Sequence, residues 1–347
     1  MLVLDNVTKV FKTGTFGGGT LPAVRGASFE ILPGEVTSLI GESGSGKSTL
    51  GKMILRLTPV TSGTITFEGT DIAGLKGKRL REYYRHVQGV FQDPFSSYNP
   101  VYRADRVFAT IKHSYFPSVS SDEWHERVET ALKSVGLNPM DVLNKFTHQL
   151  SGGQLQRILI ARALLLDIKI LVADEIISMI DASTRVDVLN LLANLKSRGL
   201  GVLFITHDLS LGNYISERTI ILRRGVVVEM GATQKVFDNP QHDYTKLLLT
   251  AVPRLHKKWE AGLGPEQEAI GVGSEDGGRP GRYSRSSMHP LAAMHTRKGR
   301  RAQAAAAEFD TAAALVRTDT YLRTHEEVPP LVEIEEDHFV VTSAGAK

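Results

Sequence analysis

We predict an α/β fold built on a parallel β-sheet that is covered by helices on both faces. The first observation is the stretch 41–48, which fits the pattern G-x-x-x-x-G-K-[ST] between an apolar, β-prone run and a predicted helix. The second is the alternation of buried strands with helices from about residue 150 onward. The third is that carboxylate and histidine side chains follow the predicted strands, where ligands of such sheets gather.

The composition is that of an ordinary globular protein of 347 residues, with a net charge of +3 and 41% hydrophobic residues. So mild a charge does not by itself indicate a nucleic-acid partner. The chain has no cysteine, which excludes disulfides, thiolate metal sites and cysteine nucleophiles. We find no apolar run long enough for a transmembrane helix and no secretory signal, so we expect any membrane role to come through a partner.

The N-terminal part predicts short β-strands before the glycine-rich motif. Predicted strands cover residues 2–4, 7–11 and 27–31, with a loop at 14–20 and a turn at Pro33 and Gly34. Phe11 is the aromatic side chain that we expect to stack on a purine base, because a nucleotide site needs a flat apolar partner for the base. A core phenylalanine is an equally good interpretation of Phe11.

The glycine-rich motif is a P-loop, a turn that binds phosphate through its backbone. Glycines allow the N–H groups to surround phosphate oxygens, and the start of the following helix adds partial positive charge. We expect Lys47 to reach the β- and γ-phosphates and the Ser48 hydroxyl to bind Mg²⁺. The residues expected to hold the nucleotide are Gly41, Ser43, Gly44, Ser45, Gly46, Lys47, Ser48 and Thr49.

The middle of the chain alternates strands with helices and contains one mostly helical region. Predicted strands cover 63–69, 87–91, 169–175 and 202–206, a hairpin joins 219–222 to 226–229, and predicted helices cover 80–84, 150–165 and 183–197. Residues 101–150 are mostly helical, with one helix whose N-cap is Ser121 and whose end is Gly136. Gln92 directly follows the predicted strand 87–91.

Two carboxylates and a histidine stand at the ends of neighbouring predicted strands. If strand 169–175 continues through both carboxylates, Asp174 and Glu175 face opposite ways. Asp174 can then hold Mg²⁺ through water, opposite Ser48, while Glu175 polarises an attacking water. We expect His207 to contact the γ-phosphate and Gln92 to complete the metal or water shell.

Beyond residue 253 the composition changes. Residues 260–301 are rich in Gly, Ser, Pro and Arg, and we predict that they are flexible. Residues 302–316 could form an alanine-rich helix, and 326–341 should contain an extended segment. We interpret the basic residues near 300 as part of a solvated linker rather than a lipid or RNA site.

Together these motifs resemble the ATP-binding-cassette (ABC) ATPases over residues 1 to about 253. They are the P-loop, the Gln92 loop, the signature sequence Leu150-Ser151-Gly152-Gly153-Gln154, the Asp174-Glu175 pair, the switch-like stretch 178–181 and His207. The resemblance implies a RecA-like parallel-sheet core, an N-terminal antiparallel β subdomain, a helical signature subdomain at 95–160, and a C-terminal extension at 254–347. It also implies a head-to-tail dimer in which Ser151, Gly152, Gly153, Gln154 and Asp181 act on the ATP of the partner subunit.

Four further segments resemble the ATPases of oligopeptide and dipeptide importers. They are residues 91–100, residues 236–248, and the C-terminal segments 329–331 and 338–340. This resemblance implies ATP and Mg²⁺ as cofactors, a second and different ATP-binding subunit, two transmembrane permease subunits and an extracytoplasmic solute-binding protein. It places the chain at the cytoplasmic face of the cell membrane, without a nucleic-acid partner. Because the chain has no cysteine, we expect no iron–sulfur cluster of the kind that this subfamily often carries.

The chain departs from the family pattern at two places. Ile176-Ile177-Ser178 stands where the family usually has Pro-Thr-Ser, which changes the loop that leads to Asp181. His242-Asp243-Tyr244 lacks the usual proline after the histidine. Alternatives to a hydrolysing importer subunit are an ATP-binding regulator with weak or no hydrolysis, a non-transport ABC ATPase, and an exporter. The intact Glu175, the single cassette and the importer-like Gln92 loop favour the importer.

Overall fold

The computed structural model describes residues 1–13, 18–178, 180, 182–250 and 328–341. The strands are β1 (Leu2–Lys12), β2 (Thr20–Ile31), β3 (Val36–Ile40), β4 (Ser62–Phe67), β5 (Thr70–Asp71), β6 (Val87–Val90), β7 (Ile170–Asp174), β8 (Gly201–Thr206), β9 (Arg218–Arg223), β10 (Val226–Ala232), β11 (Leu331–Glu335) and β12 (His338–Val341). The helices are α1 (Lys47–Ile54), α2 (Gly77–His86), α3 (Arg106–Tyr115), α4 (Ser121–Ser134), α5 (Pro139–Val142), α6 (Gly152–Leu164), α7 (Ala182–Ser197), α8 (Leu209–Ile215), α9 (Thr233–Asp238) and α10 (Asp243–Thr250). Short 3₁₀ turns cover Phe95–Ser97 and Thr147–Gln149.

The larger sheet confirms the predicted parallel core. Its order is β11-β12-β10-β9-β3-β8-β7-β6. The five strands from β9 to β6 pair in parallel, and β10, β12 and β11 add antiparallel strands at one edge. Strands β3, β7 and β8 therefore end at the same edge, which brings the P-loop, Asp174 and His207 to one side of the molecule.

Apolar side chains of the central strands alternate between two clusters. On β7, Ile170 and Val172 pack in the cluster that contains Leu50 of α1. Leu171 and Ala173 point into the other cluster, with the apolar residues of α6 and α7. Because both faces are covered, β7 carries four consecutive apolar residues, 170–173, rather than alternating apolar with polar residues, as its sequence suggested.

The smaller, antiparallel sheet is formed by the N-terminal strands in the order β2-β1-β4-β5. The predicted break between strands 2–4 and 7–11 is wrong, because β1 is one strand that runs from Leu2 to Lys12. Its pairing is irregular between Leu4 and Val7, where Asn6 adopts a φ of 48°. Strand β2 also begins at Thr20, well before the predicted residue 27. Most of the predicted loop lies outside the described residues.

The region between β6 and β7 is helical, as predicted. One detail was wrong: the N-cap of α4 is Ser120 and not Ser121, because the Ser120 side chain accepts a hydrogen bond from the Glu123 N–H. Apolar residues of α3, α4 and α6, including Phe108, Trp124 and Leu155, belong to the same cluster as one face of the large sheet. This packing holds the helix of the signature sequence against the sheet.

The extended segment predicted near the C-terminus forms a β-hairpin of β11 and β12. Strand β12 pairs with β10, which makes the hairpin part of the large sheet. The predicted flexible stretch 260–301 and the alanine-rich stretch 302–316 lie outside the described residues. Within the described part of the chain, no helix has both the length and the apolar character needed to cross a membrane.

Candidate nucleotide-binding and hydrolysis site

The P-loop connects β3 to α1, as its pattern predicts. Gly46 has a φ of 107°, and a Cβ placed there would lie 2.3 Å from the Ala23 carbonyl oxygen. A Cβ on Gly41 would lie 2.1 Å from the Leu222 carbonyl oxygen. Only glycine fits at these two positions, because one requires a left-handed backbone and both lie against a neighbouring main chain.

Lys47 is buried beneath the loop that precedes it. Its ammonium donates hydrogen bonds to the carbonyl oxygens of Gly41 and Glu42, both at 2.8 Å. Burial lowers the pKa of Lys47, and the nearby carboxylates of Glu175, Asp174 and Glu42 oppose that shift. The lysine is therefore held at the loop by two carbonyls and surrounded by negative charge.

Ser48 and Asp174 meet across the sheet edge. The Ser48 hydroxyl donates to Asp174 Oδ1 at 3.1 Å, although 126 positions separate the two residues. Burial raises the pKa of Asp174, the hydrogen bond from Ser48 opposes this, and the charge of Glu175 adds to it. Two hard oxygen atoms thus lie together, which is the placement that the predicted Mg²⁺ site requires.

Glu175 does not continue the strand, which corrects the expected strand geometry at the carboxylate pair. Strand β7 ends at Asp174, and Glu175 adopts a φ of 50° while its N–H donates to the Ile205 carbonyl at 2.9 Å. The two carboxylates therefore differ in position because the backbone turns, and not because of strand alternation. Glu175 Oε1 lies 3.4 Å from His207 Nδ1.

The residues after Glu175 form a closed turn despite their departure from the family pattern. Both the N–H and the hydroxyl of Ser178 donate to the Glu175 carbonyl, at 3.1 and 2.8 Å. Ile176 and Ile177 are buried in an apolar cluster. Glu175, Ile177, Ser178 and His207 line a cavity of about 120 Å³ at this position.

The signature sequence begins α6 with a capping box. The Ser151 hydroxyl accepts from the Gln154 N–H at 3.2 Å, and the Gln154 side chain accepts from the Ser151 N–H at 2.9 Å. Ser151 is exposed, while Gly152 and Gly153 occupy the first helical positions. In the described part of the chain, no hydrogen bond or ion pair joins this segment to the P-loop.

Some predicted site residues lie apart from this cluster. Phe11 is 37% exposed with the Lys9 ammonium 5.0 Å from its ring centre, so it is not the core residue of the alternative interpretation. Its stacking on a base stays a prediction. Gln92 is exposed beyond β6, and Asp181 lies outside the described residues.

Sequence reasoning missed the support of the P-loop. The Glu42 N–H donates to the Tyr244 hydroxyl at 3.1 Å, and the Gly225 N–H donates to the Ser45 carbonyl at 2.8 Å. Both supports come from segments about 180 to 200 positions further along the chain. The predicted hairpin turn at Gly225 was the only local signal, and nothing in the pattern around Tyr244 points to the P-loop.

The site fits a nucleotide with its metal. A Cβ on Gly44 would meet no atom within 4 Å, so there is open space beside the loop. Among the described residues, none forms a hydrogen bond with the buried Ser45 hydroxyl. No group of three or more acidic, histidine or cysteine side chains that could hold a metal occurs among the described residues. The Ser48 and Asp174 oxygens suit Mg²⁺, which binds through few protein ligands together with phosphate oxygens and water.

Comparison with known proteins identifies the family. A family described as ABC transporter matches residues 24–178, and one described as oligopeptide/dipeptide transporter, C-terminal region, matches 228–275. The chain is 40% identical to the oligopeptide transport ATP-binding protein OppF of Salmonella typhimurium, over 67% of this chain and 70% of that protein. It is 43% identical to OppF of Bacillus subtilis, over 68% of this chain and 77% of that protein.

A solved structure has the same fold. It is the dimeric, post-hydrolysis form of the ATP-binding cassette MJ0796 bound to ADP and Pi, 31% identical over 67% of this chain and 99% of that one, with a TM-score of 0.61. The fold, the site and the relatives define an ABC ATPase. Within that class, this chain belongs to the ATP-binding subunits of the oligopeptide/dipeptide transporter family.

Proposed function

We propose that this chain is the ATP-hydrolysing subunit of an importer that takes up peptides, or a related small solute, across the cytoplasmic membrane. The observation that carries the proposal is the meeting of Ser48 and Asp174 at 3.1 Å, with Glu175 and His207 beside them at the ends of neighbouring strands. The names of the relatives, oligopeptide transport and peptide import ATP-binding proteins, support the choice of solute.

The residues divide into phosphate, metal and water contacts. The N–H groups of the loop 41–48 and the Lys47 ammonium bind the phosphates, and Phe11 stacks on the base. Ser48 and Asp174, with Gln92, would hold Mg²⁺, which would neutralise negative charge on the phosphates. These assignments account for the burial of Lys47 and for the hydrogen bond between Ser48 and Asp174.

Glu175 acts on the attacking water. Its side chain is 17% exposed and faces the cavity of about 120 Å³, which has room for water. The carboxylate accepts a proton from the water as it attacks, and His207, 3.4 Å away, orients the water and contacts the terminal phosphate.

The signature sequence acts on a second subunit. Ser151 is exposed at the start of a helix, where N–H groups bind anions, yet it makes no described contact with the P-loop of its own chain. We therefore assign Ser151, Gly152, Gly153, Gln154 and Asp181 to the ATP of a partner ATPase. The dimeric solved cassette supports this arrangement.

The region after Gln92 contacts the permease. Phe95, Val101 and Tyr102 are 49%, 73% and 42% exposed, and three exposed apolar side chains so close in sequence suit an interface. This contact holds the chain at the cytoplasmic face of the membrane. The solute reaches the permease from an extracytoplasmic binding protein, so the ATPase itself does not select it.

A regulatory subunit without hydrolysis is the second candidate, and Ile176 and Ile177 are the residues that favour it. The Ser178 hydrogen bonds to the Glu175 carbonyl close the turn without the usual proline, so we favour hydrolysis.

The test is peptide uptake by vesicles that contain the whole complex. ATP supplied on the side of this subunit should drive uptake, and a complex with Lys47→Ala should fail to take up peptide because the phosphates lose their main cation. Hydrolysis of ATP without uptake of peptide would contradict the proposed transport.

A further inference from the structure

Tyr244 contacts the P-loop at the residue that helps to hold Lys47. Its hydroxyl accepts a hydrogen bond from the Glu42 N–H at 3.1 Å, and the side chain is 1% exposed. The carbonyl of the same Glu42 accepts from the Lys47 ammonium at 2.8 Å. Tyr244 thus helps to fix Glu42, whose carbonyl orients the phosphate-binding lysine.

Tyr244 is itself fixed by a turn at the start of α10. Its N–H donates to His242 Nδ1 at 3.1 Å, which requires that this nitrogen be unprotonated. Burial lowers the pKa of His242 to about 4, in agreement with this role. The N–H groups of Gln241 and His242 donate to the two oxygens of Glu229, at 2.8 and 3.0 Å.

The C-terminal hairpin of β11 and β12 contacts the same Glu229 carboxylate. His338 of β12 places Nε2 2.8 Å from Glu229 Oε1, and both side chains have zero exposure. Its other ring nitrogen lies 2.9 Å from Glu335 Oε1. A buried carboxylate is costly unless it is paired, so His338 stabilises Glu229 together with the two backbone N–H donors.

These contacts form one path from the hairpin to the P-loop, through His338, Glu229, His242, Tyr244 and Glu42. We propose that Tyr244 is a positioning residue for the P-loop, and that the hairpin of β11 and β12 supports it through the His338–Glu229 pair. The C-terminal extension would then set the affinity of the site for ATP without touching the nucleotide. The inference rests on the proposed binding of ATP at residues 41–48.

The first test is Tyr244→Phe in the assembled complex, which removes the hydroxyl and keeps the ring. We expect the dissociation constant and KM for MgATP to rise ~5-fold, the value of one hydrogen bond, with kcat changed less than KM. Tyr214→Phe is the matched control, because Tyr214 is 67% exposed on α8. Unchanged affinity for MgATP in Tyr244→Phe would overturn the proposal.

The second test is a double-mutant cycle that combines Tyr244→Phe with His338→Gln of the hairpin. If both act along one path, the double variant should weaken MgATP binding by less than the product of the two single effects. If the two substitutions weaken MgATP binding independently, so that their effects multiply, the hairpin does not act on the P-loop through Tyr244.

A third measurement covers the case in which His338→Gln also lowers stability. Amide hydrogen exchange of the P-loop peptide should be faster in both variants than in wild type at a temperature where each is folded. Unchanged exchange in a folded His338→Gln variant would contradict the path. These measurements need only MgATP binding, so they remain valid if the complex proves not to transport peptide. If the wild-type complex itself does not bind MgATP, the proposed nucleotide site is wrong.

Discussion

The Ser48 hydroxyl donates a hydrogen bond to the Asp174 carboxylate at 3.1 Å, and so joins the first turn of α1 to the end of β7. Two oxygen atoms from distant parts of the chain are thereby placed together. If they hold Mg²⁺ as proposed, this placement lowers the cost of assembling the metal site when the nucleotide arrives.

Ser48→Ala tests this pair. The Mg²⁺ concentration that supports half-maximal ATP hydrolysis should rise at least ~10-fold, because one oxygen ligand is lost and Asp174 loses its hydrogen-bond donor. A Mg²⁺ titration of the ATPase rate measures this. Ser197→Ala, which alters an exposed serine at the end of α7, should leave the titration unchanged. An unshifted curve for Ser48→Ala would argue against the metal assignment.

Gly46→Ala tests the P-loop geometry. The new Cβ would lie 2.3 Å from the Ala23 carbonyl at a φ of 107°, so the loop must move. We expect loss of MgATP binding and a destabilisation of about 1–3 kcal/mol, seen as a lower Tm. Gly74→Ala is the control, because a Cβ there meets nothing within 4 Å and should leave both quantities close to wild type.

The titration of His242 predicts a specific pH dependence of stability. Burial lowers its pKa from 6.5 to about 4, so between these values the unfolded chain binds a proton that the folded chain excludes. This contribution is fully present above pH 6.5 and is lost as the pH falls toward 4, by at most about 3 kcal/mol.

Unfolding of His242→Asn should therefore depend less steeply on pH in that window, since asparagine keeps an acceptor but does not titrate. Denaturant unfolding at a series of pH values measures the difference. His125→Asn, at an exposed histidine of α4, should retain the wild-type slope. Equal slopes for wild type and His242→Asn would show that His242 is not held neutral.

Ile177→Thr tests whether the unusual residues after Glu175 slow hydrolysis. Ile177 is 3% exposed, so a hydroxyl there is buried and should lower stability by about 1–3 kcal/mol. We expect the ATP turnover of the folded variant to stay within about twofold of wild type, because Ser178 already closes the turn. A clear rise in turnover would mean instead that Ile177 impairs this site.

Much of the core could be predicted because it consists of elements with clear local sequence patterns. The P-loop, the strand before Asp174 and the strand before His207 each occupy a short, continuous stretch, and parallel strands bring their ends together. The backbone turn at Glu175 could not be foreseen, because residue 175 has no local signal such as glycine for its φ of 50°.

The supports of the site could not be predicted, because they depend on distant pairings. Glu42 and Tyr244 are 202 positions apart, and Glu229 and His338 are 109 apart. Periodicity identifies which face of an element is buried, but it does not say which buried polar groups meet. The same limit explains why β12 was predicted as extended while its pairing with β10 was not.

The most direct test of the account is the ATP turnover of the reconstituted complex that carries Glu175→Gln in this subunit. The substitution keeps the size of the side chain and removes the carboxylate that accepts the proton of the attacking water. We predict a loss of at least about tenfold, with Glu126→Gln on the exposed face of α4 as a neutral control. A turnover equal to wild type would contradict the account, because this site would then be silent and the partner ATPase would perform the hydrolysis.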